Sequence, residues 1–186
     1  MERKKIIGSL IGSTWLALLL YIILHEGGHA LVGVICGATV SEFNILEAYV
    51  VCEGGNFSQI TSALFNLAGM LLPLLISWIY LVFYQKQVAS IFYRIFSAVF
   101  IMATTCSTTS WVVVPIIYMV GTPNPQDDIV KFIEITGISP ILLSGIALVL
   151  IGISCLGIWR KQVLRNYFLT MRKIKGNDHD DIMMSS

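Results

Sequence analysis

Charge is scarce in this chain. Asp, Glu, Lys and Arg make up 12% of its 186 residues, against 56% hydrophobic residues and a mean hydropathy of +0.80. Soluble domains carry about 25% charged residues, so the composition excludes an ordinary soluble domain. At a net charge of +1 there is no basic footprint, and nucleic acid is excluded as a partner. The four cysteines form no C-x-x-C pair, which argues against a thiolate zinc site. Cys106 and Cys155 lie inside apolar runs and read as small core residues, whereas Cys36 and Cys52 flank one loop and would pair if that loop faced an oxidising compartment. No small-residue cleavage site follows the first apolar run. Although Arg3, Lys4 and Lys5 precede that run as in a secretory signal, it therefore reads as a retained span.

Long apolar runs are what the chain does have. The first begins at Ile6, and three more reach the roughly 20 residues needed to cross a bilayer: Ile60 to Tyr84, Ile91 to Val120 and Ser139 to Trp159. Ser139-Pro140 gives the last an N-cap followed by proline at the first helical position. In a four-span bundle Arg3, Lys4, Lys5, Lys86, Arg94, Arg160, Lys161, Arg165, Arg172, Lys173 and Lys175 fall at one end. Glu42, Glu47, Glu53, Asp127, Asp128 and Glu134 fall at the other, with Lys131 alone there as a basic residue. The positive-inside rule then puts both termini in the cytosol. The expected fold class is an all-α polytopic membrane protein of about four transmembrane helices with a possible short β-hairpin after the first. It is embedded in the lipid bilayer of the cell membrane over residues 1–159, with residues 160–186 as a basic, polar cytosolic tail. His179, between Asp178 and Asp180, reads as part of a solvated, disordered end without a role.

One stretch carries chemistry: His25-Glu26-Gly27-Gly28-His29, at the far end of the first run. Residues four apart share a helix face, so His25 and His29 can offer two imidazoles to one metal ion. Glu26 beside them is placed to take a proton from water at an open coordination position, which is the H-E-x-x-H arrangement of zinc peptidases. A merely structural metal site has no need of such a base. At 1.5 Å per residue His25 lies roughly 28 Å beyond Ile6, close to the thickness of the hydrocarbon core, so the site sits near one bilayer face. Gly27 and Gly28 each weaken a helix by about 1 kcal/mol relative to Ala. Close helix packing and close approach of a substrate backbone both account for them.

The flanking segments suggest what surrounds the site. Thr39 to Ile45 and Tyr49 to Cys52 read equally well as two short strands or as a plain connecting loop; strands would set an exposed edge, able to pair with an extended peptide, beside the metal. Asn66, Thr104, Thr105, Ser107, Thr108, Thr109 and Ser110 place polar groups inside the spans. The hydroxyl run predicts helix-to-helix hydrogen bonds, with a wet cavity as the alternative. Gly8 with Gly12 and Gly33 with Gly37 predict packing contacts. After Pro123 and Pro125, an amphipathic helix runs from the aspartates to Gly137.

The motif His25-Glu26-Gly27-Gly28-His29-Ala30-Leu31 resembles that of the site-2 protease family of intramembrane zinc metalloproteases, and the chain looks like a small, divergent member. Asn66-Leu67-Ala68-Gly69 loosely resembles the family's glycine-containing second helix, which makes Asn66 a candidate to support the ligands from behind. The family draws its third ligand from a distal N-x-x-P-x-P-x-L-D-G motif. Asn124-Pro125-Gln126-Asp127-Asp128 is its loose counterpart here. The resemblance therefore implies Zn²⁺ held by His25, His29 and Asp128, with Asp127 as the alternative. Asp127 follows the proline turn and is the better N-cap, which leaves Asp128 freer to turn inward. Familiar members keep the metal nearer the cytosol, whereas the charge pattern here puts it outward. The function expected is a zinc metalloendopeptidase acting within or beside the membrane on a membrane protein or peptide, with Glu26 as base. The alternative is a non-catalytic pseudoprotease, or a binding or immunity protein, on the same scaffold. A metal transporter fits less well, because the other spans offer no line of His or carboxylate ligands.

Overall fold

A computed structural model describes residues 2–172. Four of its helical stretches are long and apolar enough to cross a membrane. The first is α1 (Glu2–Ile35). Its end is set by Gly37, whose φ of 81° breaks the helix and sends the chain into β1 (Ala38–Asn44) and β2 (Tyr49–Gly54). The two strands pair antiparallel, from Ala38 opposite Gly54 to Asn44 opposite Tyr49, with one irregularity between Val40 and Glu42. At the tip the Asn44 side-chain carbonyl accepts from the amides of Leu46 and Glu47, and Ala48 takes a positive φ to close the turn. Of the two readings of this segment, two strands or a plain loop, the structure has the strands, and Tyr49 ties them together by donating to the Glu42 carboxylate.

The next span is α2 (Gln59–Phe83), opened by Ser58, whose hydroxyl accepts from the Thr61 amide. The third apolar run is two helices, α3 (Ile91–Ser107) and α4 (Ser110–Val120), which part at Thr108 and Thr109. The short α5 (Asp128–Thr136) ends at Gly137 in the left-handed conformation, and α6 (Pro140–Lys161) begins with proline in its first turn. Ser139 occupies the N-cap position of α6, but its side chain makes no capping bond. A helical segment over residues 163–172 continues past a break at Gln162 and buries Val163, Asn166 and Thr170. Residues 173–186, including His179 and its neighbouring aspartates, lie outside the described residues.

Packing centres on α1, which lies against both α2 and α3, while α5 seats on α2 and α4 seats on α6. Two apolar clusters hold the bundle. One, around Leu74, Trp111, Ile129 and Ile133, joins α2, α4 and α5 behind the site. The other, around Leu81, Tyr84, Ile101 and Val163, closes the basic end.

Several sequence expectations differ in detail. The hydroxyls of Thr104, Thr105, Ser107, Thr108, Thr109 and Ser110 donate to carbonyls three or four residues back in their own chain segment, not to other helices. A hydroxyl on a helix finds its own preceding turn more readily than a neighbouring helix. Cys106 and Cys155 are exposed, and Cys36 and Cys52 are unbridged. Burial raises the Cys52 thiol above its ordinary value. Of the four glycines expected to pack, Gly33 lies tightly against Cys52 and Gly12 just reaches Phe92, whereas Gly8 and Gly37 have open space around them.

Candidate metal centre

His25, Glu26 and His29 come from one stretch of α1, and Asp128 arrives as the first residue of α5. Three local devices bring Asp128 to the histidines. Asn124 accepts from the Gln126 amide at 3.0 Å and tightens the proline turn. Asp127, as N-cap, accepts from the Ile129 amide at 2.8 Å and starts the helix. Ile129, Val130 and Ile133 then bury the inner face of α5, and Gln59 fastens its far end by donating to the Ile135 carbonyl at 2.6 Å. With the Asp127 carboxylate used by the backbone, the Asp128 carboxylate oxygen Oδ2 lies 3.2 Å from His29 Nε2 and 4.0 Å from His25 Nε2.

The protonation of His29 follows from its partners. Its Nδ1 lies 2.7 Å from the Phe65 carbonyl oxygen, which can only accept, so Nδ1 carries the hydrogen and donates. In the neutral ring Nε2 is then a lone pair, aimed at a carboxylate oxygen that is also a lone pair. Two acceptors at 3.2 Å need a cation or a proton between them. One donor atom from each of His25, His29 and Asp128 lies within 4.8 Å of the other two. Three donors bonded to a tetrahedral zinc at about 2.0–2.1 Å stand about 3.3 Å apart, so small movements of His25 complete the set. The residues present fit a zinc ion.

The second helix forms the back wall. A Cβ on Gly28 would collide with the Ala68 carbonyl, so Gly28 is where α1 and α2 touch backbone to backbone. Gly27 has open space, and helix packing does not account for it. A Cβ on Gly69 would meet His29 Nε2 and stand 2.9 Å from His25 Cε1, so this glycine makes room for both imidazoles. His25 Nδ1 is buried with no hydrogen-bond partner among the described residues, and Gly69 lies against the His25 ring. Pro73 lies four residues after Gly69 in α2 and has no amide hydrogen, so the Gly69 carbonyl is free of its usual helical donor.

Asn66 stands beside the site. It donates to the Ser62 carbonyl at 2.8 Å and lines a cavity of about 270 Å³ together with His25, Asp127 and Asp128. A second cavity of about 380 Å³, walled by Tyr21, His25, Ser107, Thr109 and Ser110, also borders His25. The hydroxyl run therefore borders a space beside the site even though each hydroxyl bonds within its own segment. Glu26 is buried next to these groups. In the sequence Phe65 and Pro73 carry no marked role, and Gly69 stands out only for its place in the Asn66-Leu67-Ala68-Gly69 resemblance. Phe65 acts through its carbonyl, which no side-chain letter marks. The four-residue spacing of Gly69 and Pro73 was the available signal.

The pattern of the Peptidase M50B-like family matches residues 10–180. The chain belongs to this family, which is a site-2 protease family. Searches of curated proteins and of solved structures gave no match. Peptidases of the M50 class are zinc metalloproteases in general, and family and fold together describe a multi-pass membrane protein.

Proposed function

We propose that this chain is a zinc-dependent endopeptidase that cleaves membrane proteins or peptides within or just outside the bilayer. The convergence of His25, His29 and Asp128, from two helices far apart in sequence, is the observation that carries this reading. These three residues would hold Zn²⁺, which when bound supplies a Lewis acid for the scissile carbonyl and its attacking water. Phe65 holds the His29 ring in the tautomer that presents Nε2. Glu26 accepts the proton of the attacking water and passes it to the leaving amine. The polar cavity that His25 shares with Asp127 and Asp128 admits that water, and Asn66 on its wall is positioned to bond a substrate backbone. Family membership, together with the carboxylate beside the first ligand, supports an enzyme over a non-catalytic scaffold.

Metal analysis of the purified protein tests the centre. Close to one zinc per chain is expected, falling to background in His25→Ala and His29→Ala; zinc retained by both variants would refute the assignment. The basic end of the bundle is assigned to the cytosol, with both termini, which places the metal toward the outer face. Single-cysteine labelling at position 47 checks this. A cysteine there should react with an impermeant reagent from outside intact cells, and labelling only after the cytosolic face is opened would reverse the orientation.

A further inference from the structure

The basic end of the bundle holds a cavity that the proposed hydrolysis does not use. It encloses about 810 Å³ between α3, α6 and the segment 163–172, and its walls include Met102, Ile151, Cys155 and Ile158. Arg160 and Arg165 also line it. They reach it from the two sides of Gln162, whose left-handed φ of 58° turns the chain between them. Neither guanidinium pairs with a carboxylate among the described residues. Lys161, which lies between them in sequence, is engaged elsewhere and donates to the Val82 carbonyl at 2.6 Å. Trp159 stands beside the pair and is 74% exposed, as amphipathic aromatic rings are at the boundary of a membrane.

Two guanidinium groups over an apolar crevice, with no carboxylate partner among the described residues, ask for an anion with an apolar continuation. Phosphate suits the guanidinium fork, and the crevice between two membrane helices suits an acyl chain. We propose that this cavity binds one anionic phospholipid, with its phosphate on Arg160 and Arg165 and an acyl chain along the α3–α6 crevice. Charge decides the occupant. A zwitterionic headgroup brings a compensating cation, a second copy of the chain brings the same two arginines, and an apolar substrate helix leaves both uncompensated.

The full-length protein, purified in detergent and stripped of lipid, is titrated with phosphatidylglycerol or with phosphatidylcholine of the same chains and read by native mass spectrometry. One phosphatidylglycerol per chain should bind at least tenfold more tightly than phosphatidylcholine. The Arg160→Gln/Arg165→Gln variant should bring the two lipids within twofold of each other. Cys155→Trp, which fills the crevice, should weaken both, and Arg172→Gln, exposed and outside the cavity, should keep the preference. Should the double variant fail to fold, Arg165→Gln alone decides, and it must lose at least threefold of the preference. Equal affinity for the two lipids, a preference that survives loss of the arginines, displacement by equimolar inorganic phosphate, or a lipid-free dimer through this face would each overturn the proposal.

Discussion

The two ends of the bundle handle buried polar groups in opposite ways. At the basic end each is matched by another. Tyr80 and Ser97 share a hydrogen bond of 2.6 Å, and Asn166 donates to the Tyr84 hydroxyl and to the Lys86 carbonyl. Arg94 donates to the Val88 carbonyl and the Thr170 hydroxyl, while Tyr84 and Tyr93 stack. At the other end the polar groups converge with fewer partners: His29 Nε2 and an Asp128 carboxylate oxygen face each other at 3.2 Å, His25 Nδ1 has no hydrogen-bond partner among the described residues, and Glu26 is buried beside them. A satisfied network holds a fold together, whereas an unsatisfied one is tolerated where a ligand completes it. The comparison therefore assigns the polar support of the fold to one end and the proposed hydrolysis to the other, and it can be broken by experiment.

The largest effect expected is on catalysis. Glu26→Gln should lower peptide cleavage by about 10²–10⁴-fold while zinc content and unfolding temperature stay at the parent values, because the base is lost and the ligands remain. Undiminished cleavage of a genuine substrate would remove Glu26 from the mechanism. Asp128→Ala should come next, weakening zinc by more than about 100-fold, since loss of a direct ligand exceeds the 10–100-fold typical of a supporting residue. Gly69→Ala should fall within that supporting range, about 10–100-fold, because its Cβ pushes on both imidazoles. Zinc titration ranks the two, and parent-like affinity in Asp128→Ala would pass the third position to Asp127 or a loop glutamate.

At the basic end the signature should invert. Asn166→Leu leaves the Tyr84 hydroxyl and the Lys86 carbonyl without their donor and should cost about 1–3 kcal/mol in unfolding measurements, with zinc affinity unchanged. A loss of zinc in this variant would mean that the two ends are coupled and the division is wrong. The smallest effect is expected at Asp127→Ala, about 1 kcal/mol for a lost helix cap, with zinc binding reduced only as far as α5 frays.

Much of the architecture was legible because it rests on side-chain patterning. Scarce charge and long apolar runs mark the spans and Gly137 marks where α5 stops, whereas Gly37, which ends α1, reads in the sequence as a packing residue. The proline turn ahead of Asp127 marks where α5 begins, and the two aspartates differ in their use of the backbone as capping chemistry dictates. Less was legible where the backbone acts. The Phe65 carbonyl holds His29, yet every residue has a carbonyl, so only the packing of α1 on α2 reveals which one matters. The hydroxyl run was misread for a related reason: composition signals polarity inside a span but not the direction in which each hydroxyl turns. The parting of α3 from α4 at Thr108 and Thr109 escaped notice because the run stays apolar enough to read as one helix.

The separation of the histidines from Asp128 along the chain bears on how the protein is made. His25 and His29 enter the membrane with the first span, but the carboxylate opposite them is synthesised only after the next two spans have been laid down. During that interval the nascent chain carries the imidazole pair and the base without the group that completes the set. On the reading proposed here, a half-inserted chain cannot hydrolyse its neighbours, and competence arrives only when α5 docks. On that reading the order of synthesis itself is the safety catch.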